Sequence, residues 1–515
     1  MIPPLVVAVA VVAVAGILWK LIISSGENEK GVRRPPGPRG LPLVGYIPFL
    51  REDLHRQFTE LGQKYGPIYR LRLGNKLATV ISSPELVKEV LRDNDTIFSN
   101  RDITVASRIV TYDLNDVAWS RYGPLWRNLR KLFNREMLSH ANLEASYNLR
   151  RDRVRKTVRD IYARNRTLID LYDVALQVDI DVIINLIWGG RLDDAGRDKI
   201  LSSLAPVVSD IIDSMTKPNL SDFFPLLARF DLQGIEKETR RLLHKIEEII
   251  EHTIDERIEN PFKKSEAEAI EKEKRTDFLQ ILVDLMLKEN NDETFGKTHV
   301  KAMLIDNILV AGTDTSATTI EWVLTDLINH PKAMERVQEE IKKVVGMDAI
   351  VEESHTMKMD FLDAVVRESL RLHPIGPLLT PRTPSQTVRI GGYTIPKDSA
   401  VFLNIFSIQR DPKIWESPTE FRPERFLESA GKFDFHGNNF QYMPFGSGRR
   451  VCAGIPLAER MVKYIVATLV HSFDWKLPAG REKLDMADKM GMVLRKRSPL
   501  KAVACARLSN PQLYA

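Results

Sequence analysis

The spacing of apolar residues changes several times along the chain, and each change predicts an element. From Leu5 to Trp19 no polar side chain interrupts the run, and Leu21, Ile22 and Ile23 extend it past Lys20. A helix here approaches the roughly 20 residues that cross a bilayer. Met1-Ile2-Pro3-Pro4 lacks the basic start of a cleaved signal peptide. Positive charge follows the run instead, at Lys20, Lys30, Arg33, Arg34 and Arg39, a bias that leaves the rest of the chain in the cytosol. We read residues 2–24 as a permanent membrane anchor. Residues 25–45 are basic and proline-rich, and proline fixes φ and removes amide donors, so they form an extended tether and a domain boundary.

Between Gly66 and Ser83, apolar and polar residues alternate on both sides of Gly74-Asn75, which predicts a hairpin. Spacings of three and four then take over. They predict helices over 84–92, 124–138, 147–163, 232–257, 276–287, 299–329, 331–344 and 359–372. Strand patterns return at 387–395 and 400–406, before an irregular, proline-rich stretch from 411 to 426. Residues 261–275 are charged and poor in apolar anchors, as in a solvated connector. The expected architecture is mainly α with a minor β subdomain, residues 46–515 forming one large catalytic domain. There is no internal repeat.

Composition narrows the function classes. With 43% hydrophobic and 28% charged residues, the 515-residue chain can bury a substantial core. The net charge of +5 is spread as mixed signs without a basic stripe, so nucleic acid is not an expected partner. Two cysteines, Cys452 and Cys505, allow neither a disulfide framework nor a thiolate-rich zinc site, and suit a reducing compartment.

Cys452 lies in the most informative segment, Phe445-Gly446-Ser447-Gly448-Arg449-Arg450-Val451-Cys452-Ala453-Gly454, just before an apolar helical pattern over 457–471. Small residues permit a tight loop, and backbone amides and a helix N-terminus aimed at the sulfur lower the energy of a thiolate. Such a thiolate could bind a metal, or act as a nucleophile given a partner histidine; a small buried hydrophobe is the plainer reading. A dinucleotide loop is excluded, because Val451 stands where its third glycine belongs.

The segment resembles the cysteine signature of the cytochrome P-450 family, Phe-x-x-Gly-x-Arg-x-Cys-x-Gly, filled at Phe445, Gly448, Arg450, Cys452 and Gly454. The resemblance implies the cytochrome P-450 fold and a haem b cofactor. Cys452 would be its thiolate iron ligand, whose electron density favours O–O cleavage. Phe445 would cover the sulfur side of the ring and Arg450 would meet a propionate. Other motifs of the family occur upstream. Glu368-Ser369-Leu370-Arg371 with Arg425 resembles its structural Glu-x-x-Arg triad. Ala311-Gly312-Thr313-Asp314-Thr315-Ser316 puts an acid, hydroxyls and a glycine inside a long helix, where hydroxyls bend a helix by bonding back to its carbonyls. It resembles the oxygen-activation motif, with Ser316 in place of the commoner threonine. That resemblance makes Thr315 the residue that orders a water and Asp314 the residue that relays protons. Trp126-x-x-x-Arg130, and Arg382 after residues 378–381, stand where the family supplies propionate contacts, and guanidinium forks suit carboxylates.

The resemblance spans the chain and is strongest to plant endoplasmic-reticulum members, a subgroup that includes cadinene hydroxylases and related terpenoid oxidases. It implies a single-pass protein of the endoplasmic-reticulum membrane, touching membrane lipid, with a monomeric catalytic unit on the cytosolic face. The chain carries no flavin or nicotinamide motif, so NADPH-cytochrome P-450 reductase is the implied electron donor. Arg127, Arg130, Lys131, Arg135 and Arg449 are either its basic docking face or simply solvated. Substrate contacts are expected from residues 103–117, 207–224, 305–309, 375–379 and 490–493. These are mostly apolar and suit a small hydrophobic substrate beside dioxygen. A sesquiterpene or other terpenoid is the expected class, and a flavonoid or other phenolic is the alternative. A haem-thiolate isomerase or dehydratase has no need of the Asp314-Thr315 pair, and a non-catalytic haem sensor is a third reading.

Overall fold

A buried central helix, Ala311–Asn329, organises the molecule. It continues a π-helical stretch, Met303–Val310, that follows the short helix Lys297–Ala302. The expected helix over 299–329 is therefore one rod with a widened turn before Ala311. Thr313 and Thr315 donate their hydroxyls to Leu309 O and Ala311 O at 2.8 Å, the back-bonding that its composition implied. The computed structural model describes residues 33–189, 192, 194–259, 278–289, 295–429, 431–478 and 484–515. The anchor at 2–24 and the connector at 261–275 lie outside the described residues. Among those that are described, no helix is long and apolar enough to cross a membrane.

Several expected helices keep their limits closely, among them Tyr147–Ala163, Ile235–Glu259, Pro331–Val345 and Asp360–Leu372. Two long helices were missed by the pattern, Leu171–Trp188 and Asp194–Thr216. In the first, every residue from Val178 to Trp188 is buried, because it packs between the central helix and Tyr147–Ala163. A helix buried all round has no polar face to give it a period. The second contains Pro206, which reads as a breaker. Gly312 lets the first of these helices come close: a Cβ there would lie 3.3 Å from Ile183 Cδ1.

The hairpin forms as expected, Ile68–Leu73 against Lys76–Ile81. It is one edge of a sheet continued by Ala400–Leu403, Arg382–Thr383 and Asn100–Arg101. The strand expected over 400–406 stops at Leu403, where the Asn404 side chain accepts the Ser407 amide and starts a helical turn, Ile405–Ile408. The end of the proline-rich segment is docked on the hairpin. Arg70 N–H donates to Pro36 O at 2.7 Å, and a Cβ on Gly37 would meet Arg70 O at 2.0 Å.

Glu321 on the central helix is buried and accepts the Leu500 amide at 2.7 Å. Burial pushes its carboxyl up to about 7, from an ordinary value of 4.5. The unfolded chain releases this proton first, so the stability it contributes is full below 4.5 and is lost as pH rises through 7. Glu321→Gln keeps the acceptor and removes the titration. We expect the wild type to lose on the order of 2–3 kcal/mol relative to this variant across that window, read as diverging melting temperatures.

Candidate active site

The cysteine loop is shaped by its backbone. Gly446 and Gly448 adopt left-handed φ of 74° and 71°, and the Cys452 amide closes the loop on Phe445 O at 3.0 Å. A Cβ on Gly448 would lie 2.7 Å from Leu91 O, so only glycine fits that approach. Helix Ile455–Ser472 starts three residues after Cys452. Phe445 stands edge-on to Phe435, with ring centroids 5.4 Å apart.

Protein atoms surround Cys452, yet its side chain is accessible, as on the wall of an internal void. Burial raises its thiol pKa. The Gly454 amide, 3.3 Å from Sγ, together with Arg130 and the Ile455 amide, opposes that rise without overcoming it. The loop amides thus favour a thiolate, as expected from small residues and a helix N-terminus, against the desolvation that the fold imposes. None of the groups acting on the sulfur is a histidine, so a nucleophile–base pair is not built here. A metal ion, by contrast, deprotonates a coordinating thiol outright. Among the described residues no cluster of three or more His, Cys, Asp or Glu could hold a metal. A metal on Cys452 must then bring its other ligands with it, as in a porphyrin.

A second feature calls for an anion. Arg101 and Arg382 are direct cross-strand partners in the sheet, an opposition of like charges that destabilises a sheet. Arg450 and Arg130 join them. Burial lowers Arg450 to about 9 and Arg382 to about 10, and drives Arg101 well below its ordinary value, with repulsion among the guanidiniums adding to the effect for Arg101 and Arg450. Asp95 and Asp116 are the carboxylates that face them, and Asp95 is shared with Arg449 at 2.7 Å. Arg382 Nε is buried without a partner. A ligand bearing carboxylates relieves this excess of charge, and haem propionates are such groups.

The expected site residues take different parts. Arg382 donates to Phe98 O at 3.3 Å and Ser447 O at 3.1 Å. Arg130 donates to Val451 O at 2.8 Å, beside the cysteine. Arg450 donates to Ser99 O at 2.7 Å, Val117 O at 3.0 Å and Ser120 O. Trp126 gives its one indole N–H to Val117 O at 3.0 Å, so as placed it has no proton left for a carboxylate. On the central helix, Ala311 is exposed and Gly312 and Thr315 are half-buried, whereas Val310, Thr313, Asp314 and Ser316 are buried.

Asp314 is turned into the protein. Arg495 Nη2 lies 2.8 Å from its Oδ1, Arg495 Nε donates to Oδ2 at 3.2 Å, and Tyr172 Oη donates to Oδ1 at 2.5 Å. The sequence did not suggest these partners, because they come from the unrecognised helix Leu171–Trp188 and from the short strand Leu494–Lys496. Arg101 was missed for the same reason: only strand pairing sets it opposite Arg382. For Asp314 to pass a proton toward the void, one of these partners must let go. We expect Asp314→Asn to lower turnover on the order of 10²-fold and to raise the solvent isotope effect, with the carbon monoxide spectrum unchanged.

Beneath the loop, Glu368 binds Arg371 at 2.8 and 2.9 Å and Arg425 at 3.0 Å, all buried. Arg371 also donates to Gln409 O, and Gln409 Oε1 accepts the Met443 amide, two residues before Phe445. The triad is thus a support for the cysteine loop, as its resemblance implied.

The comparisons agree with this geometry. The family profile described as Cytochrome P450 matches residues 35–503. Geraniol 8-hydroxylase of Swertia mussotii is 37% identical, covering 95% of this chain and 97% of its own. A flavonoid 3'-monooxygenase of Crocosmia x crocosmiiflora is 37% identical over 92% of this chain and 93% of its own. A zebra fish cytochrome P450 solved with progesterone superposes with a TM-score of 0.75 at 26% identity, covering 88% of this chain and 99% of that one. The chain belongs to the cytochrome P450 family. It is a haem-thiolate monooxygenase that takes electrons from a reductase, and its residues fit the group: Cys452 would hold the iron, and Arg130, Arg382, Arg450 and Arg101 would meet its carboxylates. When bound, the haem supplies oxygen activation, with the thiolate donating electron density to the iron.

Proposed function

We propose that the protein inserts one oxygen atom into a plant terpenoid, most simply a sesquiterpene or a smaller relative. The observation that carries this reading is that each of the five expected substrate stretches places a buried aliphatic side chain in the core. Ile109, Ile212, Ile305, Ile375 and Val493 belong to a single buried cluster, one from each stretch. Hydrogen bonds join residues 103–117 to 207–224 and to 305–309, through Val105 N–H to Asp222 at 2.8 Å and Val117 N–H to Asn307 at 2.9 Å, and Leu494 N–H, just beyond residues 490–493, bonds Ile375 O at 2.9 Å. Walls of this kind reward apolar area and offer few polar anchors. One similar protein is named for geraniol, a terpenoid alcohol, and another for a flavonoid, which keeps a phenolic as the second reading. The test incubates the protein and a plant reductase with terpenes and flavonoids and follows mass gain of one oxygen. NADPH-dependent oxidation of flavonoids with none of terpenes rejects the first reading.

We also infer that the chain is held at the endoplasmic-reticulum membrane by residues 2–24, with the catalytic domain in the cytosol. Support comes from an apolar edge near the start of the described chain. Leu41, Leu43 and Phe49 are exposed there, as are Leu226, Phe230 and Leu232. Gly74 N–H bonds Val44 O and Asn75 N–H bonds Phe223 O, so one turn joins the two groups. Such a patch suits the boundary of a bilayer. Full-length protein that leaves microsomes in an alkaline wash would contradict this placement.

A further inference from the structure

Two buried carboxyl groups from distant parts of the chain meet beside the opened turn of the central helix. Asp306 lies in the π-helical stretch Met303–Val310, and Asp116 lies in the loop after helix Val105–Val110; they are 3% and 0% exposed. Asn307 stands between them. Its Nδ2 donates to Asp116 Oδ2 at 3.1 Å and to Asp306 Oδ2 at 3.0 Å, while its Oδ1 accepts the Val117 amide at 2.9 Å. The Val117 amide needs an acceptor and the carboxyls need donors, which fixes the orientation of the side-chain amide. Asp116 also accepts the amides of Ala118, Trp119 and Ser120, at 2.7, 3.0 and 3.0 Å.

Two carboxylates in one dry pocket repel each other unless a cation or a proton stands between them. A neutral amide stands there instead. The charged groups that face the pair are Arg101, from strand Asn100–Arg101, and Arg450, from the cysteine loop; both act on Asp116. Burial first, then the charge of Asp116, pushes the Asp306 carboxyl well above its ordinary range.

We propose that Asp306 keeps its proton and, with Asp116 and Asn307, clamps residues 116–120 to the central helix, which makes Asp306 and Asn307 positioning residues for the oxygenation site. The clamped loop matters because its carbonyls hold the side chains that would meet the haem carboxylates. Val117 O takes Arg450 and Trp126, Ala118 O takes Arg101 at 3.3 Å, and Ser120 O takes Arg450. The same contacts fix one wall of the expected substrate cavity. A proton buried between helix and loop thus sets the frame in which Arg101 and Arg450 wait for their anion.

The haem-loaded protein tests this without a substrate. Infrared difference spectra of wild type against Asp306→Asn should contain the carbonyl stretch of a protonated carboxylic acid, shifted in D2O and lost in the variant. An amide mimics the protonated acid, so Asp306→Asn should keep hydrogen-exchange protection over residues 117–120 within about twofold of wild type. Asn307→Ala removes three hydrogen bonds and should speed exchange there about tenfold or more, while the red-shifted reduced carbon monoxide band persists. Lack of the carboxylic-acid band overturns the buried acid at Asp306. Unchanged exchange in Asn307→Ala, or exchange in Asp306→Asn as fast as in Asn307→Ala, overturns the clamp.

Discussion

Cys452→Ala should fold, should give no red-shifted Soret band with carbon monoxide after reduction, and should lose monooxygenase turnover by at least about 10³-fold. Folding should survive because the loop does not depend on sulfur. Its path is set by left-handed Gly446 and Gly448 and by the Cys452 amide bonding Phe445 O, and alanine leaves each of these in place. Removing the sulfur also removes the one soft donor in a site with no cluster of other metal-binding side chains among the described residues. The iron would then lack an anionic ligand to donate charge. Any haem retained through Arg101, Arg130, Arg382 and Arg450 would bind carbon monoxide with an unshifted band. Cys505→Ala is the control and should leave the band as it is. A red-shifted band in Cys452→Ala would remove the basis of the site assignment.

Glu368→Gln should have the largest effect on stability. Glu368 is fully buried, and its carboxylate holds the buried guanidiniums of Arg371 and Arg425 and accepts the Arg422 amide at 2.8 Å. Glutamine keeps the shape but leaves two buried cations without their counter-ion. Breaking a buried ion pair by removing one partner costs about 3–5 kcal/mol, a large share of the roughly 5–15 kcal/mol that stabilises a folded protein. The loss should reach the haem site by a short route, because Arg371 fixes Gln409 and Gln409 fixes Met443 at the start of the cysteine loop. Expression should yield little carbon monoxide-binding protein, and the urea midpoint of what is recovered should fall. A wild-type midpoint would mean that the triad carries no net stability.

How much of this was legible in sequence depended on whether the signal was local. The cysteine loop was legible because its requirements, glycines at left-handed positions and a cysteine ahead of a helix, lie within ten consecutive residues. Amphipathic helices such as Pro331–Val345 were legible because one face is wet. Helix Leu171–Trp188 was not, since burial on all sides erases the period. The desolvation acting on Cys452 was not legible either, for a related reason. Amide hydrogen bonds can be guessed from loop composition, whereas the desolvation that outweighs them is set by the whole fold.

The sequence by itself determined the family, the cysteine that would meet the iron, the Glu368–Arg371 pair beneath its loop and the acid–alcohol pair on the central helix, because each is carried by residues close together along the chain. The tertiary structure alone decided which charges oppose one another: Arg101 across from Arg382, Asp314 gripped by Arg495 and Tyr172, and Asp306 beside Asp116. Coulomb energy depends on distance through space and on the water excluded between groups, and neither is written in the order of residues.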